Sequence, residues 1–387
     1  MKNTKQQSTL LQGKTAASLI APLALLCLCC ISSSPAAAQE PGVGPGKVVV
    51  HTAFGGVIFG YDVERNGTEG VLAEGLGSAV AVETFDQATG KILKVVTQQK
   101  NTNNDFAALG IFGSNVGLFE EEISPGRFVS KRIYRTMNPI NGGKVTGKWT
   151  PPFTKNNIIT SMPFSQGSST APVLYFNNVI NDFSSYLIST NVAANTFGTP
   201  FTIPDPIFNF DSSPVMAYDS QTNQAILGGS TGCFGCSTEI GLVDLANNKF
   251  SEFAGLGFGF VNGIAVDPST GIVCTTTEDD FSVEFYNLAT QTGIIVVLKD
   301  ADNQIFSGGD VEFDPIHKLF LIGQEFSSVD PAGGSSILVY DEKGNFIEAV
   351  NNLKLPASPT YMALHPSARA GYVIVTPTAT ELQSFTY

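Results

Sequence analysis

A short pattern recurs along the chain at nearly constant spacing. Its clearest copy is Asn-Gly-Ile-Ala-Val-Asp-Pro-Ser-Thr-Gly, residues 262–271, in which an apolar run ends at an acidic residue and a turn follows. In successive copies the first apolar run ends at positions 62, 113, 164, 219, 267, 314 and 365. Each interval of about 50 residues holds four short apolar runs separated by turns, and this is the sequence pattern of a propeller blade. The repeat therefore predicts an all-β, seven-bladed β-propeller.

The two ends of the repeat array complement one another. The last copy supplies only three runs, 360–364, 371–376 and 381–387, whereas one spare run, 47–53, precedes the first copy. Using the spare run as the outer strand of the final blade would remove an exposed sheet edge and close the ring. That arrangement predicts 28 strands. A six-bladed ring with an insertion near 123–150 is the alternative, although it leaves strands unpaired.

Two segments carry a resemblance to known proteins. Residues 81–96 and 282–297 resemble the outer two strands of YVTN-type propellers, a group that is itself similar to NHL and lactonase propellers. The resemblance extends over nearly all of the chain after residue 38. It implies the fold, but these propellers include both enzymes and binding scaffolds, so it implies no particular activity.

The first 38 residues have the features of an export signal. They contain three lysines and no acidic residue, an apolar run over 19–31, and small residues over 32–38. The apolar run is shorter than the roughly 20 residues that a membrane-spanning helix needs. We expect a signal peptide over 1–38, a linker over 39–46, and a single propeller domain over 47–387. The mature protein is then secreted, either periplasmic or extracellular.

The charge of the chain narrows the range of partners. The net charge is −13, and loss of the three N-terminal lysines makes it more negative. A strongly acidic surface repels phosphate backbones and anionic lipids, so nucleic acid and membrane surfaces are poor partner candidates, whereas cations and basic ligands are favoured.

Acidic residues concentrate in the loops that join second to third strands and blade to blade. These loops share one face of a propeller, called the first face below; the other hairpin turns form the second face. Clustered carboxylate oxygens suit Ca²⁺ or another divalent cation. The candidate ligand-binding residues are Glu278, Asp279, Asp280, Asp300, Asp302, Glu325 and Asn262.

Three long or glycine-rich loops on this face belong to neighbouring blades. They span 230–238, 256–262 and 324–336, and propellers place binding function on such connections. Asn262-Gly263 also resembles a segment of metal-dependent gluconolactonase propellers that contributes an asparagine ligand. The corresponding position in the next repeat is Gly309 rather than an acid, so no catalytic residue is carried over.

The cysteines and one glycosylation motif add local expectations. Cys233 and Cys236 lie in a loop of an exported chain, where a local disulfide is expected. Cys274 lies in a strand and is expected to pack as a small apolar residue. Asn66-Gly-Thr is an N-glycosylation motif on a predicted turn.

Two functions are compatible with these features. The first is a binding or interaction scaffold for an extracytoplasmic protein, a glycan or a cationic ligand, in which the chain acts as a monomer. The alternative is a lactonase-type hydrolase or lyase with a divalent cation near the central channel. An enzyme of that kind requires carboxylates from several blades at one channel mouth. No catalytic constellation is recognisable, so whether the chain is an enzyme stays open.

Overall fold

The structure is a computed structural model in which residues 39–387 form one compact unit. It describes residues 45–387 except for 76–78, 101–102, 113–114, 124–130, 139–143, 150–156, 162, 164–167, 178–183, 192, 195, 205–214, 231–236, 259–260, 278–280, 299–307, 325–335, 351–352, 354–361 and 376–378.

The described part of the chain contains 29 strands and one short 3-10 helix, Pro366–Ala368. The first fourteen strands are β1 (Pro45–His51), β2 (Val57–Val63), β3 (Glu69–Gly75), β4 (Ala79–Asp86), β5 (Ile92–Lys100), β6 (Asn103–Phe112), β7 (Asn115–Ile123), β8 (Lys131–Asn138), β9 (Lys144–Trp149), β10 (Asn157–Ser161), β11 (Thr170–Asn177), β12 (Ser185–Asn191), β13 (Thr196–Phe197) and β14 (Phe201–Thr202). The others are β15 (Val215–Asp219), β16 (Gln224–Ser230), β17 (Ser237–Asp244), β18 (Lys249–Phe258), β19 (Val261–Asp267), β20 (Ile272–Thr277), β21 (Ser282–Asn287), β22 (Thr292–Val297), β23 (Gly308–Asp314), β24 (Leu319–Gln324), β25 (Ile337–Asp341), β26 (Phe346–Val350), β27 (Ala363–His365), β28 (Ala370–Val375) and β29 (Glu381–Thr386).

The strands form antiparallel sheets in which neighbours in sequence are neighbours in space. Six sheets have four strands each: β2–β5, β6–β9, β15–β18, β19–β22, β23–β26, and β27-β28-β29-β1. A further sheet over β10–β14 has five strands. First strands of successive sheets contact one another, and β27 of the last sheet contacts β2 of the first. This arrangement is a β-propeller, as the repeat predicts.

The prediction of a seven-bladed propeller with 28 strands is wrong, and the six-bladed alternative fits the structure. Six sheets follow the regular blade pattern, which is the number given by the six-bladed alternative, and the five-stranded sheet departs from that pattern. Its outer edge consists of two separate two-residue strands, β13 and β14, that both pair with β12. Pro200 lies between them and has no N–H to donate to β12, and the pairing with β12 is interrupted there. The extra strand therefore does not come from an insertion near 123–150, because β8 and β9 of that region pair within a regular sheet.

The spare N-terminal run does complete the last sheet. Strand β1 pairs antiparallel with β29, with Val50 opposite Leu382. Both side chains are fully buried and pack with Ile58, Leu72 and Phe85 of the first sheet. The N-terminal strand thus joins the last sheet to the first.

A repeated turn explains the aspartate in the sequence pattern. Asp219, Asp267 and Asp314 each end a first strand, and their side chains accept backbone N–H groups two or three residues later. Four residues after each aspartate the backbone has a left-handed conformation, at Asn223, Gly271 and Lys318. The aspartates are therefore turn-forming residues of the second face.

Candidate functional site

Two buried glutamates hold the connection between the last and the first sheet. Glu74 on β3 and Glu83 on β4 are both fully buried. Glu83 accepts the N–H of Ala53 at 3.0 Å, and Glu74 accepts the N–H groups of Phe54 at 3.2 Å and Gly56 at 2.7 Å. The backbone of this connection is therefore fixed by side chains from the sheet below it.

Glu83 holds a proton more readily than an ordinary glutamate. One oxygen of Glu83, Oε1, is buried and has no N–H or O–H donor among the described residues, whereas the carboxylate of Glu74 lies beside it. Burial, reinforced by Glu74, raises the pKa of Glu83 to about 7. A protonated Glu83 can donate to Glu74 and still accept from Ala53, which satisfies both side chains.

Apolar side chains project from this fixed connection. Phe54 is 44% exposed, and Val57 and Phe59 at the start of β2 are exposed to a similar degree. Phe59 lies at a β-bulge, because the register shifts between Ile58, which is opposite Glu74, and Gly60, which is opposite Ala73. A β-bulge redirects a side chain, and bulges are frequent near functional sites. We refer to Phe54, Val57 and Phe59 as the apolar rim; it lies on the first face.

The glycines of this region let the rim form. The position that a Cβ would take on Gly75 is occupied by the ring of Phe59, so the ring lies directly on the backbone of β3. A Cβ on Gly56 would meet Glu74 Oε2 at 2.8 Å and the carbonyl oxygen of Gly75. The rim thus combines exposed apolar groups with a backbone that cannot rearrange freely.

Carboxylates on first strands also lie near the centre of the ring. Asp62 on β2 accepts the N–H of Ile111 on β6 at 2.7 Å, and Asp310 on β23 accepts the N–H of Met362, just before β27, at 2.7 Å. Each of these carboxylates therefore links one sheet to the next. Their described role is structural, because backbone donors occupy their oxygens.

Burial also affects the protonation of the carboxylates on first strands. It raises the pKa of Asp62 to about 6 and that of Glu312, on β23, to about 7; Arg65 opposes the shift at both residues. Burial and the nearby Glu312 raise the pKa of Asp310 well above its usual range. At neutral pH these side chains thus carry less negative charge than their number indicates.

The second face holds an ion pair between adjacent sheets. Lys318 Nζ lies 3.0 Å from Asp267 Oδ1, and the Asp267 carboxylate is fully buried while the lysine side chain is 41% exposed. Burial alone would raise the pKa of Asp267, but hydrogen bonds from Glu342, the Ser269 N–H and Lys318 outweigh it, and the pKa lies well below its usual range. The same hydrogen bond to Asp267 raises the pKa of Glu342 to about 7. One proton is thus held on Glu342 beside an ionised Asp267.

Most of the residues predicted to bind a ligand lie outside the described residues. These are Glu278, Asp279, Asp280, Asp300, Asp302 and Glu325, together with the predicted disulfide pair Cys233 and Cys236. No disulfide and no group of three or more metal-ligating side chains occurs in the described ranges.

The other predicted residues have definite positions. Asn262 is a bulge residue on β19 and donates from Nδ2 to the carbonyl oxygen of Gly308 at 3.2 Å, so it contributes to the contact between two sheets. Asn66 lies exposed in the turn between β2 and β3, as the motif requires. Cys274 is fully buried and unpaired, which confirms its predicted packing.

Sequence reasoning missed both the apolar rim and the glutamates beneath it. A signal was present: Val-Glu occurs at 82–83 and again at 283–284, three residues before the turn residue in each copy. Glu284 is also fully buried, and Thr238 and Thr275 donate to it at 3.1 and 3.2 Å. A glutamate that recurs in the middle of an apolar third strand therefore indicates a buried acid with partners on neighbouring elements.

Comparison with known proteins supports the fold and goes no further. No family model and no curated protein sequence matches the chain. A chain of the "Crystal Structure of Mitotic Checkpoint Complex" is similar with a TM-score of 0.59 at 12% identity, covering 100% of this chain and 99% of that one. The "Structure of Dos1 propeller" is similar with a TM-score of 0.56 at 11% identity, covering 86% of this chain and 78% of that one. These similarities show a β-propeller, a fold that commonly serves as a protein-interaction scaffold. They do not show that the chain belongs to the YVTN, NHL or lactonase group that its sequence resembles.

The part of the chain that the structure describes contains no helix of the length and apolar character that crossing a bilayer requires.

Proposed function

We propose that the chain is an exported β-propeller scaffold that binds a protein partner through the apolar rim. The observation that carries the proposal is the combination of exposed Phe54, Val57 and Phe59 with a backbone fixed by Glu74 and Glu83. Exposed aromatic side chains on a rigid support are typical of the residues that dominate binding energy at protein interfaces.

The partner that fits is a protein with an apolar contact region in basic surroundings. The rim itself is uncharged, so its centre favours apolar groups over the hydroxyl-rich surface of a glycan. The net charge of −13 steers cationic molecules toward the chain and repels anionic ones. A basic protein surface therefore approaches faster and stays longer than an acidic one.

Export is part of the same proposal. Its support is the acid-free N-terminal segment with an apolar run over 19–31 and small residues over 32–38. Fractionation of cells that produce the chain with and without 1–38 tests it. Retention of the truncated chain inside the cell and release of the intact one is the expected result; equal distribution of both contradicts it.

Photo-crosslinking identifies the partner and tests the rim. A photoreactive phenylalanine analogue at position 54 captures the protein that contacts the rim, and that protein is then purified and its affinity measured by calorimetry. The double variant Phe54→Ser/Phe59→Ser is expected to bind it about 30-fold more weakly. The matched control is Ile347→Ser on β26, a similarly exposed apolar residue elsewhere on the surface. Equal affinity of the wild type and the double variant would overturn the proposal.

A thermal melt with metal ions separates the scaffold from the lactonase-type enzyme. An ion at a hundred times its dissociation constant stabilises the folded state by about 2.7 kcal/mol. The scaffold predicts the same melting temperature in EDTA and with Ca²⁺, Mg²⁺, Mn²⁺ or Zn²⁺. A rise with one ion alone would favour the metal-dependent hydrolase or lyase instead.

A further inference from the structure

One outer strand presents an uncharged and unpaired edge. Strand β22 (Thr292–Val297) ends the sheet β19–β22, and among the described strands it pairs only with β21. Five of its six residues are exposed and the other, Val296, is partly buried. Ile294, Ile295 and Val297 are among the most exposed large apolar residues of the described chain. The outward N–H and C=O groups of such a strand are free to pair with another strand.

The other outer strands differ from β22 in charge. A lysine or glutamate on an edge strand opposes pairing with a second chain, and natural sheets use this protection widely. Among the described outer strands longer than two residues, β22 alone lacks a charged side chain. The charged residues of the others are Lys47 on β1, Lys94 and Lys100 on β5, Lys144 and Lys148 on β9, Lys249 and Glu252 on β18, and Glu348 on β26.

The position of β22 is fixed by its surroundings. A Cβ on Gly344, in the turn before β26, would lie 2.6 Å from Ile294 Cδ1 and 3.2 Å from Val296 Cγ2. The turn of the next sheet therefore packs closely against one side of β22. The hydrogen-bonding edge of β22 is in place before any partner arrives.

We propose that β22 pairs with β22 of a second copy of this chain, antiparallel about a twofold axis. In an antiparallel twofold register Ile295 lies opposite Ile295 of the second copy and Ile294 lies opposite Val296, so every central pair is β-branched and uncharged. No charged side chain of the strand selects a partner of different composition. The sequence alone favours a monomer; this edge is the structural reason for a dimer.

The expected dimer is weak. A six-residue strand pair buries less than the roughly 1,200 Å² of a stable interface, so dimers form only at high protein concentration. Two copies with a net charge of −13 each repel one another, and salt screens that repulsion within about 8 Å at physiological ionic strength. Salt should therefore promote this dimer, whereas it weakens an interface held by ion pairs.

Sedimentation velocity of the purified protein tests the proposal. The wild type is expected to shift from monomer to dimer with rising concentration, more so in high salt than in low salt. Ile295→Lys introduces the charge that other outer strands carry, at a side chain 44% exposed, and should weaken dimerisation at least about tenfold. The control is Leu93→Lys on β5, 49% exposed, which should dimerise like the wild type.

Val297→Lys is a second test on the same edge, and thermal melts check that all variants are folded. Loss of the dimer in both β22 variants and its retention in Leu93→Lys supports the proposal. A wild type that stays monomeric at every concentration overturns it and assigns the edge to a strand of another protein. Unchanged dimerisation of folded Ile295→Lys and Val297→Lys also overturns it, because another surface then forms the contact.

Discussion

Glu83 lies beside Glu74 in a site that excludes water, and its Oε2 accepts the N–H of Ala53 at 3.0 Å. Placing two carboxylates together in the interior is unfavourable unless one of them keeps a proton. The pair therefore ties the connection that carries the apolar rim to the protonation of one side chain.

The stability of the protein should fall as the pH rises through the range in which Glu83 titrates. Because its pKa is raised to about 7, the folded state binds more protons than the unfolded state between about pH 4.5 and 7, and folding is favoured at the acidic end. Asp62 and Glu312, with pKa values raised to about 6 and 7, act in the same direction. We expect a melting temperature several degrees higher at pH 5 than at pH 8.

Glu83→Gln isolates the contribution of this one pair. The amide can accept from Ala53 and donate to Glu74 without titrating, so the difference in melting temperature between pH 5 and pH 8 should shrink by about 3 °C. Glu69→Gln on β3, where the side chain is partly exposed, is the control and should leave the difference unchanged. A pH profile of Glu83→Gln that matches the wild type would show that the raised pKa of Glu83 does not cause the pH dependence of stability.

Lys318 should stabilise the contact between sheets β19–β22 and β23–β26. Lys318→Met leaves the buried Asp267 carboxylate with hydroxyl and backbone donors but without its cation. The lysine is 41% exposed, so solvent screening limits the effect, and the expected loss is about 1 to 2 kcal/mol in urea unfolding.

Two further variants sharpen that measurement. Lys318→Arg keeps the charge and should recover most of the lost stability. Lys343→Met, in an exposed turn of the same sheet, should change stability by no more than about 0.5 kcal/mol. If Lys343→Met is as damaging as Lys318→Met, the effect comes from net charge and not from the pair with Asp267.

Much of the fold could be predicted because it depends on local, repeated signals. The turn over 267–271, the strand runs around it and the pairing of the spare N-terminal run all follow from residues close in sequence or from counting. The irregular sheet over β10–β14 could not be derived that way. One proline at 200 divides its outer strand, and the pattern shared by all copies of the repeat does not show such a local exception.

The candidate site was harder to predict because it depends on contacts between distant segments. Residues 53–56 are held by hydrogen bonds to Glu74 and Glu83, and the sequence of the connection gives no sign of these contacts. The acidic loops were predicted as a site because clustered acidic residues are evident from the sequence alone. Asn262, chosen by resemblance, lies at a contact between sheets, where an amide side chain serves packing.

Gly263 should be intolerant of a side chain because two first strands approach closely there. A Cβ on Gly263 would lie against the carbonyl oxygen of Gly309 and 2.8 Å from the backbone nitrogen of Val311. Backbone cannot move aside as a flexible side chain can, so Gly263→Ala should cost about 2 to 3 kcal/mol in urea unfolding. Gly271→Asn is the control: its φ of +71° suits asparagine, which occupies the same turn position at 223, and no atom lies closer than 4.0 Å. If Gly263→Ala has the same free energy of unfolding as the wild type, the two sheets move apart more easily than this contact implies.

Removal of residues 39–53 should destabilise the whole ring. It takes away β1, exposes the outer edge of β29 and opens the buried contact of Val50 with Ile58, Leu72 and Leu382. Several fully buried side chains would lose their cover at once, so the melting temperature of 54–387 should lie about 10 °C or more below that of 39–387. The control chain 45–387 keeps all of β1 and should melt within about 2 °C of 39–387. An unchanged melting curve after removal of 39–53 would contradict the role of β1 in joining the last sheet to the first. A lower melting temperature in 54–387 but not in 45–387 would show that β1 itself provides the lost stability.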